Sequence, residues 1–419
     1  MHAPAGNQGR DGMGEHAAAT GGARMGLLAP LLGPLLKRID AGIAEGSLML
    51  WLPGGGKRLL GGRAAGPAAE VDLRSWRALV RLMTSGSGGW YEAWAHGEWA
   101  SPAPEVLFEL FGRNRAGLAA GARAGGLPLL AKRLVHWLHR NSRGGARRNI
   151  HFHYDLGNDF YAQWLDPGMT YSSALFERPE MSLEEGQAAK LAAILDRTGT
   201  KPGDTILEIG CGWGSFAEAA GRAGRRVHAI TLSGEQKAWA EARVEAAGLE
   251  GVTFGLTDYR DVTGSYDAVA SIEMVEAVGR DYWPHYLSTI ARVLKPGGRA
   301  AIQLISFDDA MFEGYASNVD FIQAYVFPGG LLVRESEFRA IAEANGLGWQ
   351  DRKGFGLDYA ETLLEWRLRF EAAAATGRLP AQFDRKFIDL WRYYLMYCEG
   401  GFRGGGIDVA QVTLVKEGA

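Results

Sequence analysis

The segment DTILEIGCGWG, residues 204–214, decides which fold the chain adopts. It opens with a predicted β-strand, Thr205–Ile209, passes through three glycines spaced as G-x-G-x-G, and leads into a helix that begins near Ser215. Glycine lets the backbone turn sharply and approach a ligand without an intervening Cβ. The helix N-terminus that follows offers free amides and a positive dipole end to an anionic group. The segment therefore predicts a strand-to-helix turn that binds a ligand, and a tight connection without a ligand is the alternative.

The sequence on both sides of this turn alternates between predicted strands and predicted helices. Two helices cover residues 234–247 and 283–294, and the second ends at the stop signal KPGG, residues 295–298. Strands separated by helices predict an α/β fold with a mainly parallel, doubly wound sheet. From about residue 335 the chain is predicted to be mainly helical, before a late edge strand over 409–416. The remaining predicted strands are 226–231, 252–256, 266–272 and 299–305.

The spacing of the glycines indicates which ligand the turn binds. A dinucleotide-binding turn has the pattern G-x-G-x-x-G and an acidic residue about 20 residues further on. Here the second strand ends in TLSGEQ, residues 231–236, with no acid at its tip. A cofactor without a phosphate fits better, and S-adenosylmethionine has a carboxylate and an amine that the backbone and a nearby polar group can bind. The pair Asp258-Tyr259 after the third strand and LKPGG, residues 294–298, before the fifth strand support this cofactor.

The length and composition of the chain limit its class. A chain of 419 residues predicts two domains and a tail, and a net charge of −3 argues against a dedicated nucleic-acid binder. Cys211 and Cys398 are the two cysteines, so the sequence predicts a reducing cytoplasm and no disulfide framework. The apolar run 26–36 is too short for a transmembrane segment and contains two prolines. His151 and His153 lack the spacing of metal ligands, so no metal site is predicted.

The N-terminal third predicts a small α+β domain. Strands are predicted within residues 47–52 and 71–73, and a helix over 75–83. A basic stretch over 131–150 is interpreted either as a solvated linker or as a contact with anionic lipid head groups, where each cation adds about 1 kcal/mol. The predicted layout is a disordered tail over 1–24, the small domain over 25–130, the basic linker over 131–150 and the cofactor-binding domain over 151–419.

Many short segments, in order along the chain, resemble the cyclopropane fatty acid synthase family, which includes the mycolic acid cyclopropane synthases. The resemblance implies a Rossmann-like class I methyltransferase with a lipid-associated N-terminal domain. It also implies transfer of the methyl group of S-adenosylmethionine to the cis double bond of an acyl chain in a membrane phospholipid, which forms a cyclopropane. The segments are HYDLGND at 153–159, MTYSS at 169–173, LEIGCGWG at 207–214, TLSGEQ at 231–236, DYRD at 258–261, MVEAVG at 274–279, FPGG at 327–330, FGLDY at 355–359 and CEGGFR at 398–403.

The resemblance also implies the residues of the site. A bicarbonate ion that removes a proton from the intermediate would be held by Glu276, Ile305 and Tyr359. Two further holders depart from the family pattern, because Ser173 stands for the usual cysteine and Gln303 for the usual histidine. Cys398 matches a cysteine sometimes assigned as catalytic, although a buried free thiol is usually inert. Together, the turn and the resemblance predict cofactor contacts from Tyr171, Ser172, Glu208, Gly210, Cys211, Gly212, Gly214, Thr231, Leu232, Ser233, Gln236, Asp258 and Tyr259.

The chemistry explains why the proton acceptor matters. Attack of an alkene on the methyl group leaves a carbocation, which aromatic faces stabilise by about 0.5–2 kcal/mol each. Loss of a proton from the added methyl group closes a cyclopropane, whereas loss from a neighbouring carbon leaves a methyl-branched alkene. A methyl- or methylene-branched chain is therefore the alternative product. Ser173 and Gln303 keep the branched product open. A small-amine N-methyltransferase and an inert lipid- or cofactor-binding protein are competing hypotheses. The resemblance further implies a homodimer and a place at the inner face of the membrane.

Overall fold

The computed structural model describes residues 29–122 and 156–418. The predicted tail over 1–24, the basic linker over 131–150, and His151 and His153 lie outside the described residues. The predicted boundary between the two domains also falls there, so it stays a prediction. Among the helices of the two described ranges, none combines the length and the apolar character needed to cross a bilayer.

The first described range forms a four-stranded sheet with helices against it. Strand β1 pairs with β2 in antiparallel and with β3 in parallel, which gives the strand order β2-β1-β3-β4. The predicted helix over 75–83 continues to Ala95 and is interrupted at Gly86, where φ is +60°. The elements are α1 Ala29–Gly42, β1 Ser47–Trp51, β2 Lys57–Gly61, β3 Ala68–Leu73, α2 Arg77–Ala95, β4 Trp99–Ala100, α3 Pro104–Arg113 and α4 Arg115–Ala122.

The second described range forms a seven-stranded sheet in the order β10-β11-β9-β8-β5-β6-β7. Strands β5 to β9 run parallel to one another, as the alternation of strand and helix predicts. The elements are α5 Asn158–Tyr161, α6 Leu183–Thr198, β5 Thr205–Ile209, α7 Ser215–Arg222, β6 Arg226–Thr231, α8 Gly234–Ala246, β7 Val252–Leu256, β8 Tyr266–Ile272, α9 Trp283–Val293, β9 Leu294–Phe307, α10 Phe312–Ala316, α11 Phe321–Tyr325, α12 Glu335–Ala344, β10 Leu347–Gly354, α13 Gly356–Ala375, α14 Arg385–Arg403 and β11 Ile407–Lys416.

Two details of this sheet differ from the sequence predictions. Strand β11 was predicted at the edge, but it is antiparallel to β9 on one side and to β10 on the other. The edge strand β10 lies in a stretch predicted to be helical, and its mostly exposed side chains give no alternating apolar pattern. Strand β9 begins at Leu294 instead of Arg299, because Leu294 already pairs with Tyr266 and an irregularity follows before Ala268 pairs with Arg299.

The two sheets are joined through helices α3 and α14, which pack closely. Gly404, directly after α14, lies against Gly112 of α3, and a Cβ added to Gly404 would stand 2.7 Å from the Gly112 Cα. Further along the same two helices, the rings of Phe108 and Tyr393 meet edge to face with their centroids 5.3 Å apart. The apolar core is therefore continuous from the small sheet to the helices beside the large one.

Candidate active site

The glycine turn lies between β5 and α7, at the carboxyl end of β5. Gly210, Gly212 and Gly214 have φ values of +82°, +51° and +84°, which favour glycine. A Cβ on Gly210 would stand 2.6 Å from Met274 Cγ, and one on Gly214 would stand 2.8 Å from Ala240 Cβ. A Cβ on Gly212 would meet no heavy atom within 4 Å. Gly210 and Gly214 therefore let the chain pack, whereas Gly212 borders open space.

A cavity of about 180 Å³ opens beside this turn, at the carboxyl ends of the parallel strands. Three predicted contact residues do not line it, namely Gly214, Ser233 and Asp258. The Ser233 hydroxyl caps α8 by accepting from the Gln236 amide, and the Asp258 carboxylate is bound by the Arg260 guanidinium at 2.6 and 2.8 Å. The predicted contact residues that do line the cavity are Tyr171, Ser172, Glu208, Gly210, Cys211, Gly212, Thr231, Leu232, Gln236 and Tyr259.

A buried carboxyl, Glu208, and a buried amine, Lys190, both line this cavity. Burial raises the pKa of Glu208 to about 8, and its Oε2 has no hydrogen-bond partner among the described residues. Lys190, on α6, donates from Nζ to the Ser172 hydroxyl at 2.6 Å. Burial lowers the pKa of Lys190 to about 8, against the opposing charges of Glu273, Asp166 and Glu208. The unpaired Glu208 oxygen is an acceptor that fits the amine of S-adenosylmethionine. The sequence did not single out Lys190.

Glu273, which the sequence also did not single out, holds the centre of a hydrogen-bond network. It follows β8 directly and lines the cavity. Its Oε1 accepts from the Ser173 amide at 2.9 Å and from Gln303 Nε2 at 2.8 Å. Its Oε2 accepts from the Tyr359 hydroxyl at 2.7 Å. Burial raises its pKa, and these three bonds oppose the rise. A charged residue in the apolar run at the carboxyl end of a central strand was the available signal.

The two departures from the family pattern both serve Glu273. Gln303, on β9, donates to Glu273 while its Oε1 accepts from Gln411 Nε2 at 3.1 Å, which fixes the orientation of the amide. Ser173 donates its backbone amide to Glu273, and its hydroxyl donates to the Ala174 carbonyl at 2.9 Å. The side chain of Gln303 and the main chain at Ser173 therefore hold a carboxylate of this chain.

Glu276, three residues after Glu273, binds the main chain. Its Oε1 accepts from the backbone amide of Ile305, which explains how Ile305 takes part in the site. Its Oε2 is buried and has no hydrogen-bond partner among the described residues. Burial and the nearby charge of Glu273 raise the pKa of Glu276 to about 8. Glu276 is therefore mainly protonated at neutral pH. A protonated carboxyl can orient another group, but it cannot accept a proton.

Cys398, on α14, packs against the apolar core. Burial raises the pKa of its thiol well above the usual value. The thiolate is the nucleophilic form of cysteine. A thiol held in its protonated form is a poor nucleophile, so the environment of Cys398 favours packing over the predicted catalytic role.

The residues that the resemblance assigns to a bicarbonate ion do not fit one here. The hydroxyl of Tyr359, the amide group of Gln303 and the main chain of Ser173 all donate to Glu273. The amide of Ile305 is bound by Glu276. A separate anion would have to take these donors from a carboxylate that already has the same charge and a similar shape.

The order of the strands, the glycine turn and the cavity at the carboxyl ends of β5 and β6 define a class I S-adenosylmethionine-dependent methyltransferase. The sequence profile described as mycolic acid cyclopropane synthetase matches residues 141–412. The chain belongs to this family, and it is an S-adenosylmethionine-dependent methyltransferase.

Individual relatives agree with this assignment. The tuberculostearic acid methyltransferase UfaA1 of Mycobacterium tuberculosis is 38% identical, over 81% of this chain and 81% of its own length. The cyclopropane-fatty-acyl-phospholipid synthase of Escherichia coli strain K12 is 37% identical, over 83% of this chain and 88% of its own. The crystal structure of mycolic acid cyclopropane synthase CmaA1 complexed with SAH and CTAB is similar, with a TM-score of 0.61 and 30% identity. That similarity covers 64% of this chain and 98% of the other.

Proposed function

We propose that this enzyme transfers the methyl group of S-adenosylmethionine to the cis double bond of an unsaturated acyl chain in a membrane phospholipid. The observation that carries the proposal is a carboxylate, Glu273, held by three hydrogen bonds in the wall of the cofactor cavity. Methylation of an alkene needs a proton acceptor close to the methyl donor. The Escherichia coli relative is named a cyclopropane-fatty-acyl-phospholipid synthase.

Aromatic rings around the cavity suit a reaction that passes through a cation. Tyr171 lines the cavity, and the ring centroids of Tyr161, Trp164 and Trp366 lie 5.4, 5.6 and 5.3 Å from its own. Aromatic faces attract a cation, more strongly where water is excluded. When bound, S-adenosylmethionine supplies an electrophilic methyl group. Tyr171, packed against the other rings, and Glu273 line the cavity and exclude water from the alkene that receives this group.

Two products are consistent with this site. The first is a cyclopropane fatty acyl chain, which the name of the Escherichia coli relative favours. The second is a methyl- or methylene-branched chain. It is favoured by Ser173 and Gln303, which depart from the family pattern and bind Glu273, and by the relative named a tuberculostearic acid methyltransferase. The carbon that loses its proton decides between them.

A phospholipid substrate implies work at a membrane surface, and we propose peripheral binding at the cytoplasmic face. The β1–β2 hairpin supports this proposal, because Trp51 is 45% exposed and Leu59 is 56% exposed. Lys57 stands over the Trp51 ring at 5.7 Å. A cation beside exposed apolar side chains suits anionic head groups. The homodimer stays a prediction.

Expression in a bacterium that lacks its own synthase tests the proposal. The cells are grown with methionine labelled with ¹³C in its methyl group, and the membrane fatty acids are analysed by gas chromatography and mass spectrometry. We expect unsaturated chains to gain one labelled carbon, and fragmentation then separates a ring from a branch. Cells with the empty vector are the control. The proposal would be contradicted if the lipids of the expressing cells were unchanged while the protein purified from them still bound S-adenosylmethionine.

A further inference from the structure

The backbone of Glu273 has a conformation that side chains other than glycine rarely adopt. Its φ is +48°, and the peptide is held there by a bond from the Glu273 amide to the Gln303 carbonyl at 2.8 Å. Strained conformations persist where the surrounding structure fixes them, and they concentrate at functional sites. Here the strained turn places a carboxylate at the cavity.

The donors that hold this carboxylate come from three distant parts of the chain. They belong to the loop before α6, to β9 and to α13. An ionised carboxylate has about four acceptor positions, so three bonds leave one position free. Oε2, which receives a single bond from Tyr359, keeps that position. The network therefore orients the group and leaves it able to accept a proton.

We infer that Glu273 is the built-in proton acceptor of the reaction and replaces the bicarbonate ion that the family resemblance implies. The inference rests on the proposed function. It makes Glu273 a catalytic residue, whereas Ser173, Gln303 and Tyr359 are positioning residues that act through it.

The step balances without an oxidant or a further reactant. The π electrons of the alkene form a bond to the methyl carbon, the carbon–sulfur bond of the co-substrate breaks, and its electron pair stays on sulfur. The adjacent acyl carbon becomes the cation. Glu273 then accepts one proton, either from the added methyl group or from a carbon next to the cation. The electrons of that C–H bond form the third side of the ring or a new double bond, and Glu273 later passes the proton to water.

Neighbouring ionisable groups suit this role less well. Glu276 is tied to the Ile305 amide and does not line the cavity. Lys190 is a cation that donates to Ser172, and its charge favours the ionised form of Glu273. Glu208 lines the cavity from strand β5, next to the cofactor turn, and its Oε2 receives no hydrogen bond that would favour its charged form among the described residues.

Two substitutions of Glu273 distinguish the effect of its negative charge from the effect of its side-chain volume. Glu273→Gln keeps the side-chain volume, and Glu273→Gly suits the backbone at φ +48° and leaves a space among the three donors. A general base contributes about 10²- to 10⁴-fold to a rate. We expect both variants to lose at least about 100-fold in kcat while the Kd for S-adenosylmethionine changes by less than about threefold. Glu250→Gln, on the exposed surface, is the control.

Chemical rescue distinguishes a base from a residue with a merely structural role. We expect added formate, acetate or bicarbonate to raise the kcat of Glu273→Gly at least about tenfold. The same anions should leave the kcat of Glu273→Gln unchanged. A Glu273→Gln enzyme with nearly full kcat would overturn the inference. So would a Glu273→Gly enzyme that folds and binds cofactor but is rescued by none of the three anions.

A test on the unmodified enzyme does not depend on the folding of a variant. Turnover on vesicles of an unsaturated phospholipid is measured in buffer freed of carbon dioxide and again with added bicarbonate. We expect equal rates, and a rate that needs bicarbonate would overturn the inference. If the unmodified enzyme methylates no unsaturated lipid under either condition, the proposed function fails instead, so the two failures are distinguishable.

Discussion

Four buried or partly buried ionisable side chains give this site its chemical character: Lys190, Glu208, Glu273 and Glu276. Burial shifts the pKa of each toward the neutral form, to about 8 for Lys190, Glu208 and Glu276. Only Glu273 is held by three donors that favour its charged form. Burial raises the pKa of Glu273 as well, so what distinguishes this carboxyl from Glu208 and Glu276 is the set of three hydrogen bonds that stabilise its charged form.

The raised pKa of Glu276 makes stability depend on pH. A carboxyl whose pKa is raised by folding stabilises the protein below its usual pKa of about 4.5, and this contribution is lost as the pH rises through about 8. Each pKa unit corresponds to about 1.4 kcal/mol. We expect Glu276→Gln to gain at least about 2 kcal/mol in unfolding free energy relative to the unmodified enzyme between pH 5 and pH 8.5.

Urea denaturation of both proteins at the two pH values checks this expectation. Glu313→Gln, at an exposed glutamate, is the control and should show no such gain, because the pKa of Glu313 is lowered by Arg280 and is already below this range. An equal difference between Glu276→Gln and the unmodified enzyme at both pH values would contradict the raised pKa.

The sequence identified Glu276, Tyr359, Gln303 and Ser173 only through the family resemblance, and it missed Glu273. The reason is physical. The role of Glu273 depends on donors located 100 residues before it, 30 after it and 86 after it. The position of Glu273 after an apolar strand marks it as unusual, but no local pattern reports these contacts, so the sequence does not reveal which groups its carboxylate binds.

The glycines of the turn between β5 and α7 have different structural roles. Gly212 borders the cavity, whereas Gly214 packs against Ala240 of α8. The sequence predicted cofactor contacts from both, because equal spacing cannot distinguish a glycine that approaches a ligand from one that approaches a helix.

Alanine at these two positions should therefore have different effects. Gly212→Ala meets no neighbour within 4 Å and carries only the backbone cost of a positive φ, about 1–2 kcal/mol. We expect it to weaken S-adenosylmethionine binding at least about tenfold, because the new methyl group borders the cavity. Gly214→Ala adds a contact of 2.8 Å with Ala240, and we expect it to cost about 2 kcal/mol more in stability than Gly212→Ala.

Calorimetric titration with the cofactor and urea denaturation measure the two effects in the same proteins. The different roles assigned to Gly212 and Gly214 would be wrong if Gly214→Ala were the more stable variant. It would also be wrong if Gly212→Ala bound the cofactor as tightly as the unmodified enzyme.

Strand and helix were predicted best where the sequence repeats an apolar pattern. The parallel strands β5, β6, β7 and β8 were predicted with the bounds they have. Strand β10 was not, because its side chains are mostly exposed and its pairing with β11 depends on a partner about 60 residues later. Edge strands of this kind are set by tertiary contacts and carry little local signal.

The molecule as a whole depends on the contact between α3 and α14, which joins the small sheet to the large one. Gly400 faces α3, where an added Cβ would stand 2.5 Å from Phe108 Cβ and would also press on the Glu105 carbonyl. Gly401, the next residue of α14, has only Ile407 Cδ1 near it, at 3.5 Å. The sequence does not predict this contact, because glycine has a low helix propensity and within a helix indicates lower helix stability, not a packing contact.

Alanine substitutions at this neighbouring pair test how much the contact contributes. We expect Gly400→Ala to lower the unfolding free energy by about 2–4 kcal/mol, because backbone and side chain of α3 must move. Gly401→Ala is the matched control and should be neutral or stabilising by up to about 1 kcal/mol, the usual gain of alanine over glycine in a helix. Urea denaturation measures both. Equal stability of the two variants would show that the helices do not need this close approach.

The left-handed backbone at Glu273 has a consequence for how this enzyme can evolve. Glycine is the replacement that the main chain at φ +48° accepts most readily. The codons of glutamate and glycine differ by a single nucleotide. One point mutation would therefore turn an enzyme that encodes its own base into one that borrows an anion from the cell, and one reversion would restore it. The two mechanisms are therefore separated by a single nucleotide substitution.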